Sequence, residues 1–309
     1  MPAFAPIVLF TYNRLKNTRE TVSCLRSCPE AAESDLIVFS DAPKSAQAVA
    51  SVDEVRRFLH KIEGFKSVTV VERPENYGLF RNIVEGVTQV VEEKGRVIVL
   101  EDDLSVSPYF LRYMNEGLAL LEGREDIVCI HGYVYPHKAP LPEAFLVKGA
   151  DCWGWATWKR GWDLFDMDAA HLFREIERQG RGREFDFDGS YPYLQMLKDQ
   201  ADGKAGSWAI CWYASAFLQD KYTVYPNSSL VRINSLEDGG DHETASPYML
   251  LYQVALKATP VDWDAGNLDE ESLAGRKAFA SFYRSRRSLW RKGRVYLKNR
   301  IHRLFVVWK

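Results

Sequence analysis

Two rhythms of apolar and polar positions run through the first 130 residues. Short apolar runs occur at Ile7-Val8-Leu9-Phe10, Leu36-Ile37-Val38-Phe39, Val68 to Val71, Val97-Ile98-Val99-Leu100 and Ile127 to Ile130. Runs of this length, rich in β-branched residues, predict buried strands. Between them apolar residues recur at helical spacing. Val22 and Leu25 follow an Asn17/Glu20 capping-box pattern, Val52 to Ile62 form a second stretch, Ile83, Val84, Val87, Val90 and Val91 follow Phe80, and a fourth stretch runs from Phe110 to Leu121. This alternation predicts an α/β fold, a mainly parallel sheet with helices on both faces.

Ligands bind such sheets beyond the carboxyl ends of the strands, where strand order switches. Those ends are polar here: Thr11-Tyr12-Asn13-Arg14, Asp41 and Glu101-Asp102-Asp103. They should converge on one cleft. Successive strand residues point to opposite faces, so Glu101 and Asp103 are expected to lean one way and Asp102 the other. Carboxylates this close repel unless something positive sits among them. Mg²⁺ or Mn²⁺ would serve, keeping water and substrate phosphate in its other positions. The plainer alternative is a solvated acidic turn. No GxGxxG follows the first strand and no GxxxxGK[ST] occurs anywhere, which disfavours dinucleotide and P-loop sites.

From about residue 150 the pattern changes. Trp153, Trp155, Trp158 and Trp162 crowd into ten residues. They are either a core patch or a wall on which sugar rings stack. Residues 175–206 are charged and contain glycine, as expected of an exposed loop or lid. Trp208 to Leu218 reads as a buried helix and Tyr222 to Tyr225 as a short strand. Ser228 to Asn234 leads into Glu237-Asp238-Gly239-Gly240-Asp241-His242, a polar loop with one histidine.

Composition adds two constraints. There is no signal-peptide pattern and no apolar run long enough to span a bilayer, so the expected location is the cytoplasm. The five cysteines form no metal-type pair and read as reduced core residues. The net charge of −2 hides an asymmetry: twelve Lys/Arg and no Asp/Glu lie between Arg276 and Lys309. An acidic body with a basic end suggests an anionic surface as partner. Leu297, Ile301, Leu304, Phe305 and Trp308 suit one helical face, and Phe279, Phe282, Tyr283 and Trp290 add aromatics. Such a segment suits the inner face of a membrane, or it is a helix docked on the acidic body. No nucleic-acid motif accompanies the charge, so nucleic acid is not expected.

The motifs IVLFTYNR, IVFSDAP, NYGLFRNI, LEDDL, WGWATWKRGW, SWAICWYASAFL and DGGDH together resemble a GT-A fold glycosyltransferase. The likeness is to bacterial family 2-like sugar transferases and, more distantly, to N-acetylglucosaminyltransferase I. It runs from about residue 5 to 245. The resemblance implies a Rossmann-like nucleotide-sugar half (1–130), an acceptor-side half of the same catalytic domain (131–260) and a basic C-terminal segment (261–309). It implies a nucleoside-diphosphate sugar donor, UDP by likeness, and a glycan or lipid-linked glycan acceptor. Arg14 would meet the nucleotide, Asp41 the base and Arg81 the phosphates. Asp102 would hold the ribose, Asp103 the metal, and Glu101 would support the donor sugar. His242 stands where relatives place a residue reaching the metal or diphosphate. The chain departs from its relatives at Ala209, where many carry the base Asp beside a Trp. Asp151, Glu237 and Asp238 are the other candidate bases. A protein that binds nucleotide sugar without catalysis is the alternative.

Overall fold

The computed structural model describes residues 4–234 and 249–287. In chain order come β1 (Ile7–Thr11), α1 (Leu15–Arg26), β2 (Asp35–Ser40), α2 (Val49–Leu59), β3 (Ser67–Glu72), α3 (Gly78–Lys94) and β4 (Arg96–Glu101). Then follow β5 (Leu104–Val106), α4 (Phe110–Leu120), β6 (Ile127–His131), β7 (Ala144–Lys148) and β8 (Trp155–Trp158). A helical stretch comes next, α5 (Lys159–Trp162), α6 (Ala169–Arg178), α7 (Gly182–Phe185), α8 (Tyr193–Ala201) and α9 (Trp208–Leu218). The described chain closes with β9 (Tyr222–Pro226), β10 (Val231–Ile233), β11 (Asn267–Glu271) and α10 (Leu273–Arg287).

Nine strands make one sheet in the order β11-β7-β9-β6-β8-β4-β1-β2-β3. The block β3-β2-β1-β4 is parallel throughout. Beyond it β8 runs antiparallel to both β4 and β6, and β7 antiparallel to β9. The α/β expectation is met, with a mixed second half that the apolar runs did not reveal. The sheet continues without a break across residue 130, and β11 extends its far edge.

Both faces of the block are covered at β1 and β4, which is why these strands read as unbroken apolar runs, whereas β3 at the edge is half-buried to exposed. Ile7, Leu9, Ile98 and Leu100 pack with Val22 and Leu25 of α1 and Met114 and Leu118 of α4. Val8, Phe10, Val97 and Val99 pack on the other face with Ile83, Val87 and Val90 of α3 and Trp208 and Trp212 of α9. α3 stops at Gly95, whose φ of 77° lets its N–H reach Val91 O at 2.9 Å.

Four expectations are corrected. Asn17 is no cap. α1 begins at Leu15, and Asn17 lies buried inside it while Glu20 accepts from Ser105 Oγ. Residues 175–206 are no lid but parts of α6, α7 and α8, with Phe185, Phe187 and Leu197 buried. Of the four clustered tryptophans, Trp155, Trp158 and Trp162 are buried and make no sugar wall, while Trp153 is half-buried against Tyr133 and Tyr252. Trp155, Trp162, Trp208 and Trp212 pack ring against ring at 5.3–6.5 Å beneath the sheet, and all four are buried. Phe279, Phe282 and Tyr283 do not face a membrane, because α10 buries them against the body. The helix docked on the body is the arrangement found as far as Arg287, and the rest of the basic tail lies outside the described residues. No described helix is long and apolar enough to cross a membrane.

Candidate active site

Of the strand ends expected to converge, those of β1 and β4 are brought into contact. β4 gives way at Glu101 to a turn at Asp102-Asp103, so the alternation of faces does not continue through the triplet. Instead Arg14, the residue just before α1, points at both aspartates. Its guanidinium bonds an Asp102 carboxylate oxygen and, at 3.2 Å, Asp103 Oδ2. Thr18 Oγ1 adds a long contact to Asp102 Oδ2 at 3.4 Å, and Thr21 Oγ1 donates to Asp102 O. Asp102 is buried, whereas the Asp103 side chain is 20% exposed.

One guanidinium does not neutralise three neighbouring carboxylates. Burial pushes Asp102 up to about 6, against the pull of Arg14. Burial also pushes Glu101 well above the usual carboxylate range, with Asp103 and Asp102 adding to it. Burial works against the Arg14 charge, but the fields of Asp102 and Asp103 outweigh it and raise its pKa. The cluster thus favours further positive charge. Its donors are all carboxylate oxygens, the set that Mg²⁺ and Mn²⁺ take, and those ions need few protein ligands when phosphate and water complete the shell. No group of three ligating side chains is preformed among the described residues. The chemistry of the donor set fits a cation shared between Asp103 and a substrate.

The chain returns to this point through a small ribbon. β10 pairs with β5, setting Ile233 opposite Leu104, and Asn234 donates its N–H to Asp103 O at 2.7 Å. His242, Glu237 and Asp238 follow Asn234 in sequence and lie outside the described residues.

Two expected binding residues are committed within the chain. Asp41 accepts the N–H groups of Ala42 and Tyr77 on Oδ1, and those of Gly78 and the Asn76 amide on Oδ2. It ties the end of β2 to the start of α3. Arg81 pairs with Glu75 and Glu85 and lies over the Tyr77 ring. The sequence reading passed over Arg73, which is buried between the rings of Phe39 and Tyr77 and donates to Asn82 Oδ1 at 2.8 Å. An arginine ending a predicted strand beside Pro74 was the available signal.

Asp151 lies on the segment between β7 and β8. Gly149 (φ 102°) and Gly154 (φ 64°) bend this segment at its two ends. A Cβ on Gly149 would sit 2.3 Å from the Tyr213 ring, so the bend requires glycine. Antiparallel pairing of β4 with β8 sets Val99 opposite Trp155. Glu101 and the residues just before Trp155 therefore share one end of the sheet. The Asp151 carboxylate accepts the Cys152 N–H at 2.9 Å, Tyr135 Oη at 3.0 Å and Tyr225 Oη at 3.2 Å. The sequence reading placed Tyr225 only as the end of a short strand and passed over Tyr135, which lies just beyond β6.

His131 is fully buried 3.8 Å from Asp151. Its Nδ1–H donates to Tyr133 O at 2.8 Å, which leaves Nε2 to accept the Trp153 N–H at 2.9 Å. Burial lowers its pKa, against the opposing pull of Asp151. The folded state therefore binds fewer protons than the unfolded chain, whose histidine titrates near ~6.5. The stability tied to neutral His131 is present above that pH and lost below it, at up to about 1.4 kcal/mol per pH unit. Glu101 and Asp102, whose pKa values are raised, act in the opposite sense over this range, so the His131 contribution is read as the difference in urea-unfolding slope between wild type and His131→Gln from pH 7.5 to 5. Equal slopes would contradict the neutral assignment.

Comparison with known proteins finds a likeness over the first part of the chain. Residues 1–136 match the model of the GNT-I family. No curated protein sequence matches the chain. Among solved structures, the mannosyltransferase PcManGT from Pyrobaculum calidifontis, in complex with GDP-Man and Mn²⁺, aligns at 13% identity and a TM-score of 0.36. That alignment covers 58% of this chain and 48% of that one. S. aureus TarS aligns at 15% identity and a TM-score of 0.32, over 47% of this chain and 24% of its own. This chain thus spans less than half the length of either. From β1 through β6, the part that carries Arg14 and the acidic turn, the chain is similar to the GNT-I family.

Proposed function

We propose that this protein is a metal-dependent, inverting glycosyltransferase. In this reading it moves a hexosyl or N-acetylhexosaminyl group from a UDP-sugar to a lipid-linked glycan of a surface polysaccharide. The carrying observation is the acidic turn at the end of β4, countered by a single arginine, within the segment that the family model matches. Asp103, with His242, would hold Mn²⁺ or Mg²⁺, and the bound ion would stabilise negative charge on the departing diphosphate. Arg14, whose planar fork suits phosphate oxygens, turns from the aspartates toward the donor. Asp102 holds the ribose and Glu101 supports the donor sugar. Asp41 and Arg81 act on the nucleotide side through the start of α3 that they brace. Asp151 takes the proton of the attacking acceptor hydroxyl. Basic residues beyond 287 would meet the anionic face of the membrane.

The test is calorimetric titration with UDP-glucose, UDP-N-acetylglucosamine and GDP-mannose, with Mn²⁺ and with chelator. A nucleotide sugar should bind at least about tenfold more tightly with the ion, as expected where phosphate and protein share a cation. Affinity indifferent to Mn²⁺ for all three would end the proposal. A second reading, nucleotide-sugar binding without transfer, rests on Ala209, which places no carboxylate at this position in the first turn of α9. Release of free nucleoside diphosphate over time would exclude it.

A further inference from the structure

The surroundings of Asp151 carry a further assignment, which rests on reading Asp151 as the base. Two phenol hydroxyls, that of Tyr135 from the segment after β6 and that of Tyr225 from β9, end on the same carboxylate oxygen, Oδ2. β6 and β9 are adjacent and parallel. The other oxygen takes the Cys152 N–H and faces His131. Both tyrosines are buried, which makes their hydroxyls costly to leave unpaired. Phe279 of α10 packs edge-on against both rings, with centroids 4.9 Å away in each case. Tyr283 and Phe282 back Tyr135 at 5.2 and 5.4 Å.

We infer that Tyr135 and Tyr225 are positioning residues, a two-hydroxyl clamp that fixes and stabilises the Asp151 carboxylate, and that α10 holds the clamp closed through Phe279. A carboxylate that accepts several hydrogen bonds is held in its charged, proton-accepting form in one orientation. The other titratable groups facing Asp151 are His131 and Cys129 of β6, Cys152 beside it, Tyr193 of α8 and Tyr283 of α10. Burial keeps the phenols and thiols protonated through the acid range, so His131 is the one competitor there. α10 thereby becomes part of the acceptor-side machinery.

The experiment follows the carboxyl carbons of ¹³C-aspartate-labelled full-length protein by NMR as a function of pH, with Asp151 assigned by the signal missing from Asp151→Asn. Tyr135→Phe and Tyr225→Phe each remove one oxygen and keep the packed ring. Each should move the Asp151 midpoint upward by about one pH unit, the size expected for losing one hydrogen bond to a charged group, and should do so in a His131→Gln background as well. Phe279→Leu should move it in the same direction by less. Midpoints that coincide with wild type while Tm is unchanged would overturn the clamp. Release of UDP from UDP-N-acetylglucosamine by Asp151→Asn tests the base separately. Unchanged turnover would remove the base reading and the inference with it. Lost turnover with unmoved midpoints would leave the base standing without its clamp.

Discussion

Asp103→Asn should abolish metal-dependent donor binding and lower sugar transfer by about a thousandfold. The magnitude follows from the several kcal/mol that a cation contributes to a developing anionic leaving group, at about 1.4 kcal/mol per factor of ten. The substitution keeps the shape of the side chain and removes its charge. Arg14 loses one of two partners and retains Asp102, the more buried one. Glu101 is relieved, because Asp103 is among the charges that oppose its ionisation. Stability should therefore hold or rise slightly, and a folding defect cannot mimic the result. Calorimetry with Mn²⁺ and a nucleotide sugar, beside a melting curve, reads both quantities. Retention of wild-type Mn²⁺-dependent affinity in the variant would show that the cation sits elsewhere. Asp102→Asn makes the contrasting control: it removes the buried half of the Arg14 pair and should cost stability as well as binding.

Trp155→Ala should destabilise the fold by about 3–5 kcal/mol, a large part of the roughly 5–15 kcal/mol that separates a folded domain from its unfolded chain. Trp155 is fully buried, with the rings of Trp162, Trp208 and Trp212 at 5.6, 5.7 and 5.8 Å. Those three come from α5 and α9, so no one neighbour can move in to fill the void. The melting temperature should fall by about ten degrees or more, at roughly 2–4 °C per kcal/mol for a domain of this order. A stacking wall for sugars would behave differently, losing acceptor affinity at unchanged Tm. That outcome would reverse the assignment of these tryptophans to the core.

The parallel block was legible because local pattern and burial agree there. Val8 and Phe10 serve one face of the sheet and Ile7 and Leu9 the other, so the run had to be apolar throughout, and its period and length declared it. The ends of those strands were legible for a related reason. A parallel sheet gathers the carboxyl ends of its strands, and that is where Arg14, Asp41 and the acidic turn stand in sequence. The second half resisted reading. The helices between 169 and 201 are short and rich in charge, and they are held by tertiary contacts such as Phe185 against Tyr213, ring centroids 4.5 Å apart. No local pattern declares a contact of that kind.

By itself the sequence determined the β–α alternation, the burial of the strands and the presence of three adjacent carboxylates after the fourth of them, because each depends on neighbours within a few positions. Tertiary structure alone decided three other things. Asp102 and Asp103 share one arginine, the tryptophans of β8 and α5 pack on those of α9, and Asp151 receives hydroxyls from Tyr135 and Tyr225. Each of these joins residues beyond the reach of local pattern, and their meeting depends on strand order and on where two glycines let the backbone bend.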